Sequence, residues 1–254
     1  MGSLYLLVYN RIMFSQRKPP FVIDQQDELS TWRYRSFYEK EPETIKWIDF
    51  FATYKIPFSF LDVGANIGMY SLYFLSLVQD KKVMCVEPFQ ENFELLTRNL
   101  KLNNYLDRAQ VINNPLSSES KMGNAVVCDM RPGGSGYKLI EVDKEDQDSI
   151  EVQVLDIDSI LYPFNEKYIL KIDTDGNDFE ILQGGTKSFQ SGCIVSVLIE
   201  ASQDVQNQIT DHLETFNLIY DSRFNDLSNH SDKRRIATNK NERNRIYTQK
   251  SFIF

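Results

Sequence analysis

The stretch Phe60–Leu75, Phe-Leu-Asp-Val-Gly-Ala-Asn-Ile-Gly-Met-Tyr-Ser-Leu-Tyr-Phe-Leu, constrains the fold more than any other part of the chain. An apolar run from Phe58 to Val63 reads as a buried strand. The chain then turns through Gly64 and Gly68 and continues with Ile67, Tyr70, Ser71, Phe74 and Leu75 at helical spacing. Gly64 allows a turn where a Cβ would obstruct it. Gly68 is expected to let the helix sit close to the strand and a ligand approach its N-terminus. The first-turn amides of such a helix lack intrahelical partners and face the mouth of the turn. The spacing is Gly-x-x-x-Gly, not the dinucleotide Gly-x-Gly-x-x-Gly, and Asn66 replaces the glycine that admits a pyrophosphate. Asp62 places a carboxylate beside the turn, which suits a ligand with a positive end such as an amino-acid ammonium. A plain structural turn has the same outline, so other residues must discriminate.

Lys82–Glu87, Lys-Val-Met-Cys-Val-Glu, reads as a second strand ending in an acid, 19 residues after Gly68. An acid about 20 residues beyond a glycine turn, at the end of the next strand, is placed to hydrogen-bond a ribose diol. The other reading of Glu87 is a solvated strand-end carboxylate. A ribose and an ammonium on one ligand describe S-adenosylmethionine.

Phe60–Tyr73, Val86-Glu87-Pro88, the helix Glu91–Asn103 and Leu170–Gly185 together resemble an FkbM-type methyltransferase. The resemblance covers about residues 40 to 200. Its most specific piece is Leu-Lys-Ile-Asp-Thr-Asp-Gly-Asn-Asp-Phe-Glu-Ile-Leu-Gln-Gly-Gly. The family usually has Glu where Asp175 stands, and often His or a large residue where Asn177 stands. The resemblance implies an α/β Rossmann-like class I methyltransferase fold: a mostly parallel seven-stranded sheet with an antiparallel edge strand. It implies S-adenosyl-L-methionine as cofactor, bound by Asp62, Gly64, Ala65, Asn66, Gly68, Tyr70, Ser71, Glu87, Pro88 and Ser117. The reaction it implies is O-methylation of a hydroxyl on a sugar, glycan or small natural product.

In open α/β sheets the ligand lies beyond the carboxyl ends of the strands, and Asp62, Glu87, Asp173 and Glu200 all fall at or near such ends. Lys171, Asp173 and Asp175 are the candidate catalytic residues. Strand alternation puts Lys171 and Asp173 on one side. Asp173 is placed to accept the hydroxyl proton or to fix the cofactor ammonium, and Lys171 to lower the cost of a developing alkoxide. A Lys–Asp pair that merely stabilises a strand end is the bland alternative. His212 and His230 are poorly placed as bases. No metal site is assigned. Asp173, Asp175, Asp178 and Glu180 echo a calcium loop, but its twelfth position holds Gly184 where a bidentate Glu is needed. Magnesium on Asp173 and Asp175 is the lesser alternative.

The 254 residues suffice for a single methyltransferase domain over 1–254, with 42% hydrophobic and 25% charged residues as in ordinary globular chains. The net charge of −8 argues against a general nucleic-acid surface. From Asp221 onward, however, 8 basic and 4 acidic residues make that part +4. Its Lys233-Arg234-Arg235 run suits an anionic acceptor, or else forms a solvated loop. Cys85, Cys128 and Cys193 are few, distant and odd in number, which reads as a reducing compartment. With no run of about 20 apolar residues for a membrane span, a cytoplasmic protein is the expectation.

In chain order, residues 1–40 read as an aromatic, partly helical cover over the catalytic mouth, or as a flank packed on the domain edge. Pro42 starts a helix to about Tyr54. Residues 118–150 read as an inserted loop. Across it, Asn124–Met130 and Ile150–Leu155 are placed to pair as a small hairpin, and the Gly-rich Arg131–Gly136, which precedes no clear helix, reads as a flexible lid or loop rather than a phosphate cradle. Strands alternate with helices, hence a parallel sheet. A final pair near Leu218–Ser222 and Arg245–Gln249 reads as an antiparallel edge hairpin. The competing functions are a nucleotide-linked oxidoreductase, disfavoured by the glycine spacing, and a non-catalytic interaction module.

Overall fold

The apolar runs all enter one sheet. The computed structural model of the chain describes residues 18–25, 27–56, 58–127, 137–140, 150–174, 176–225 and 242–253. Strands β1 (Ser59–Val63), β2 (Val83–Val86) and β3 (Ala109–Ile112) run parallel, as do β7 (Tyr168–Ile172) and β8 (Ile194–Ser202) on the other side of β1. The full order is β3-β2-β1-β7-β8-β10-β9, with β9 at Leu218–Tyr220 and β10 at Glu242–Gln249. This is the doubly wound class read from the sequence. The antiparallel hairpin also forms, and β10 inserts between β8 and β9, antiparallel to both.

Helices cover both faces because the strands alternate two apolar sides. Phe60, Cys85, Ile169 and Leu198 point to one core, shared with α3 (Pro42–Ala52), α4 (Met69–Leu77) and α5 (Gln90–Leu102). Leu61, Met84, Leu170 and Val197 point to the other, shared with α6 (Ile157–Leu161), α7 (Asp178–Gln183), α8 (Thr186–Gln190) and α9 (Gln206–Glu214). Pro42 does open α3, where its missing amide costs nothing. The far end of α3 is capped by the buried Lys81, whose Nζ donates to the carbonyls of Phe51, Ala52 and Tyr54.

The insertion is more regular than a hairpin. β4 (Lys121–Val127) pairs with β6 (Ile150–Val154), from Lys121 opposite Val154 to Ala125 opposite Ile150, so the paired part of the first strand lies three residues earlier than the expected Asn124 start. A third strand, β5 (Tyr137–Ile140), pairs on its other edge. The Gly-rich Arg131–Gly136 stretch, Cys128 and the Lys233-Arg234-Arg235 run lie outside the described residues.

The chain ahead of the sheet packs on the α4 and α5 face. α1 (Glu28–Arg35) and α2 (Phe37–Lys40) bring Phe37 against Phe21, Tyr70 and Tyr73 at ring separations of 5.3, 5.6 and 5.2 Å. Asn99 of α5 and Asn103, the residue that caps its C-terminus, hold the extended residues before α1. Asn103 exchanges two hydrogen bonds with the Val22 backbone (2.9 and 2.7 Å), and Asn99 accepts from the Asp24 amide at 2.7 Å. An amide side chain offers the same donor and acceptor as a peptide, so a helix can hold an extended segment without a strand.

Candidate functional site

The sheet reverses its winding between β1 and β7, and the crevice beyond their carboxyl ends is where an open α/β sheet takes a ligand. The turn after β1 approaches the exit of β7 so closely that a Cβ on Gly64 would overlap the carbonyl of Asp173. Gly64, Asn66 and Gly68 all have positive φ, at 76°, 51° and 87°. Asparagine tolerates that region better than other side chains. Gly68 is required for a different reason from the expected one. A Cβ there would meet the end of the Leu96 side chain on α5, which can shift, so it is the positive φ of 87° that calls for glycine.

Glu87 is buried, not solvated. Its carboxylate accepts from the Asn66 amide at 2.8 Å and the Phe89 amide at 3.0 Å, tying the β1 turn to the β2 exit. The amides of Gly64 and Ala65 both donate to the Val86 carbonyl at 3.0 Å. Asn113 Nδ2 donates to the carbonyls of Glu87 and Pro88 at 2.9 and 3.2 Å. Each carboxylate oxygen has more than one acceptor direction, so this frame leaves Glu87 able to receive a hydroxyl.

A charged group lies directly beneath this turn. Register places Asp62 level with Lys171 on the neighbouring strand. Lys171 is buried; its Nζ donates to Asp173 Oδ2 at 2.8 Å, lies 3.9 Å from Asp62 Oδ1, and sits 5.1 Å from the Tyr70 ring centroid. Burial would lower the pKa of Lys171, but Asp173, Asp62 and Glu41 more than reverse that and raise it. Burial would raise the pKa of Asp173. The cations Lys171 and Lys40 and a hydrogen bond with Glu200 override it and hold the carboxyl well below the usual carboxylate range. The Asp173 side chain keeps 22% exposure, so an ionised carboxylate reaches the crevice while its counter-ion is sealed beneath.

Asp62 is raised by burial, which Lys171 and Ser71 only partly offset. Ser71 Oγ donates to its Oδ2 at 2.6 Å, and Oδ1 is buried without a hydrogen-bond partner. That oxygen fits the cationic end of a ligand, as an acceptor that is otherwise costly to bury. Asp178, first residue of α7, accepts from the Thr174 amide and hydroxyl at 2.9 and 3.1 Å. Burial, with Asp173 nearby, pushes it up to about 7.

Two members were not found as site residues from sequence. Lys40 and Glu41 stand at the corner between α2 and α3, with Lys40 Nζ 2.7 Å from Glu41 Oε1. Glu41 hydrogen-bonds the Tyr70 hydroxyl, and burial together with Glu41 raises the Tyr70 pKa well above its ordinary value. The Glu-Pro helix start at Glu41 is a signal for a cap, not for a site.

The structure thus gathers Asp62, Gly64, Ala65, Asn66, Gly68, Tyr70, Ser71, Glu87, Lys171 and Asp173 around one crevice. Pro88 joins them through Asn113. Ser117 lies at the β3 exit, where its amide donates to the Leu155 carbonyl at 2.9 Å and its own carbonyl packs against Gly184. Asp175 lies outside the described residues. His212 is set among Phe179, Phe189 and Phe216, and burial lowers its pKa. No helix among the described residues is long and apolar enough to cross a membrane.

The sequence profile of the methyltransferase FkbM domain matches residues 62–226. Methyltransferase sdnD of Sordaria araneosa is 28% identical over 152 residues, 49% of this chain. That match takes in 59% of the relative's length, so the chain spans less than two thirds of it. Among solved structures, the human methyltransferase 10 domain containing protein aligns with 83% of this chain and 82% of its own, at 9% identity and a TM-score of 0.46. Precorrin-6y C5,15-methyltransferase of Geobacter metallireducens GS-15 aligns with 70% of each chain at 11% identity and a TM-score of 0.39. Neither likeness bears on the acceptor.

Proposed function

We propose that this chain, which belongs to the FkbM methyltransferase family, uses S-adenosylmethionine to methylate a hydroxyl of a sugar, glycan or small natural product. The observation that carries the reading is Asp173: a partly exposed carboxylate held ionised by the buried Lys171, on a residue whose backbone carbonyl abuts the Gly64 turn.

The buried, unpartnered Asp62 Oδ1 is the acceptor for the cofactor's ammonium, and Glu87 for its ribose diol. Gly64, Ala65, Asn66 and Gly68 form the cradle, with Tyr70, Pro88 and Ser117 as its flanks. Ser71 acts through Asp62, since its hydroxyl is committed there. When bound, S-adenosylmethionine supplies a methyl group already activated by its sulfonium. The remaining work is positioning, proton removal and exclusion of water. Asp173 orients the acceptor hydroxyl and takes its proton. A base held so far below the usual range is weak towards a neutral alcohol. The hydroxyl oxygen becomes strongly acidic as its bond to carbon forms, so proton transfer late in the displacement needs no stronger base. Lys171 keeps the carboxylate in place and does not contact the acceptor.

The acids around Asp173 favour a neutral, hydroxyl-rich acceptor. The measurement that tests the reading is S-adenosylhomocysteine release in a screen of sugars, sugar nucleotides and lipid-linked glycans, alongside thermal shifts with S-adenosylhomocysteine and NAD. A shift with NAD alone would move the chain to the oxidoreductase reading. A shift with S-adenosylhomocysteine and no turnover on any hydroxyl compound would remove the acceptor class and leave the cofactor.

A further inference from the structure

Glu41 precedes the region that the family profile matches, yet its carboxylate acts electrostatically on Lys171 and Asp173. It is 2% exposed. Its oxygens are held by Lys40 Nζ at 2.7 Å, by Thr44 Oγ1 at 3.2 Å and by the Tyr70 hydroxyl. Tyr70 lies in the first turn of the helix that leaves the Gly64–Gly68 turn, and its ring is 5.1 Å from the Lys171 ammonium. One side chain therefore separates Glu41 from the proposed cofactor cradle on one side and from the Lys171–Asp173 pair on the other.

Acidic side chains outnumber basic ones here. Glu41, Asp62 and Asp173 pack about Lys40 and Lys171, with Arg33 near Lys40 and with Glu200 and Asp178 as further acids about Asp173. Asp62 Oδ1 is left without a hydrogen-bond partner in the same group. Negative charge enclosed without a full set of partners is unfavourable until a cation completes it. S-adenosylmethionine and S-adenosylhomocysteine share almost every polar group. They differ by a methyl and by the sulfonium charge, which is lost on transfer.

We infer that Glu41 is a positioning residue that sets the preference of the site for the charged cofactor over its neutral product. It does so by holding Tyr70 and by adding a fixed negative charge beside Lys171. The inference rests on the cofactor reading above. It gives the N-terminal segment a part in turnover: once the methyl leaves, the charge that Glu41 helps to balance is gone, and product is held less tightly than substrate.

The test is the ratio of S-adenosylhomocysteine to S-adenosylmethionine dissociation constants, measured by calorimetry on the full chain. Glu41→Gln keeps one acceptor oxygen, which can receive Tyr70 and Thr44, and removes the charge together with the Lys40 pair. It should lower the preference for S-adenosylmethionine roughly three- to thirtyfold, as for a unit charge about 8 to 25 Å away at an effective dielectric of about 20. Lys40→Met, at a side chain with 38% exposure, should move the ratio the opposite way, and it serves equally if Glu41→Gln fails to fold. Structural damage would weaken both ligands alike. An unchanged ratio in Glu41→Gln, or shifts of the same sign in the two variants, would overturn the inference while leaving the cofactor reading intact. Wild-type protein that binds neither ligand would overturn the cofactor reading itself.

Discussion

At the scale of single residues, Asp173 shows how far a side chain's surroundings decide its chemistry. Sequence alternation is enough to place it beside Lys171. Its ionisation depends on Lys40, which is 133 positions earlier in the chain, and on Glu200 at the end of another strand. Asp173→Asn should lower kcat by about 10²–10⁴-fold, the range for loss of a general base. Cofactor affinity by calorimetry should change little by comparison, whereas the thermal midpoint should fall because the buried Lys171 loses its charged partner. If affinity collapses while single-turnover chemistry at saturating cofactor stays normal, Asp173 grips the cofactor and is not the base. Gly68 carries a related lesson. Its spacing marks it as a glycine that the turn needs, and its φ of 87° agrees, yet the nearest atom a Cβ would meet belongs to Leu96, on an element that periodicity alone cannot bring to that point.

At the scale of elements, α5 does more than cover the sheet. Asn99 donates from Nδ2 to the Ile67 carbonyl at 2.8 Å, inside the candidate site's turn, while its Oδ1 accepts from the Asp24 amide at 2.7 Å. One buried side chain thus joins the N-terminal segment to the turn. Asn99→Ala leaves both backbone groups unpaired, and each buried loss costs about 1–3 kcal/mol. Urea denaturation should show a destabilisation of that order. Hydrogen exchange should rise at both Asp24 and Ile67–Met69. Protection lost at Asp24 alone would mean that the turn is held by Glu87 without help from α5. As a helix, α5 was legible from its apolar face. Its asparagines were not, because a polar residue in a helix carries no mark of what it will meet.

At the scale of the whole molecule, two carboxylates give opposite pH dependence. The folded pKa of Asp173 lies below its unfolded value, so its contribution is present above about pH 4 and is lost as pH falls below that. Asp178 has a folded pKa of about 7 against an unfolded value of 3.8. Between those values the folded state holds a proton that the unfolded state has released, so stability falls as pH rises from about 4 to 7 and stays lowered above. Asp178→Asn keeps an oxygen to accept from Thr174 and removes the titration. It should raise stability at pH 8 by an amount of order 2–4 kcal/mol relative to the parent, with little gain at pH 4. Denaturation midpoints at pH 4 and pH 8 measure this, and equal gains at both would show that Asp178 does not titrate in that range.

The sequence by itself determined the alternation of strands and helices, the glycine turn after β1, and the acids at the strand ends. Those features are written in local periodicity and in the few conformations that each residue allows. The sequence also pointed to a strand near Asn124–Met130 pairing with Ile150–Leu155, although the paired residues begin at Lys121 and a third strand joins them. Tertiary structure alone decided that Glu87 is buried under the turn, that Gly68 packs against Leu96, and that Lys40 and Glu41 reach Tyr70 and the Lys171–Asp173 pair. Those contacts join segments far apart in the chain through packing of aromatic rings and enclosure of charge. Both depend on which faces meet, and local sequence carries no record of that.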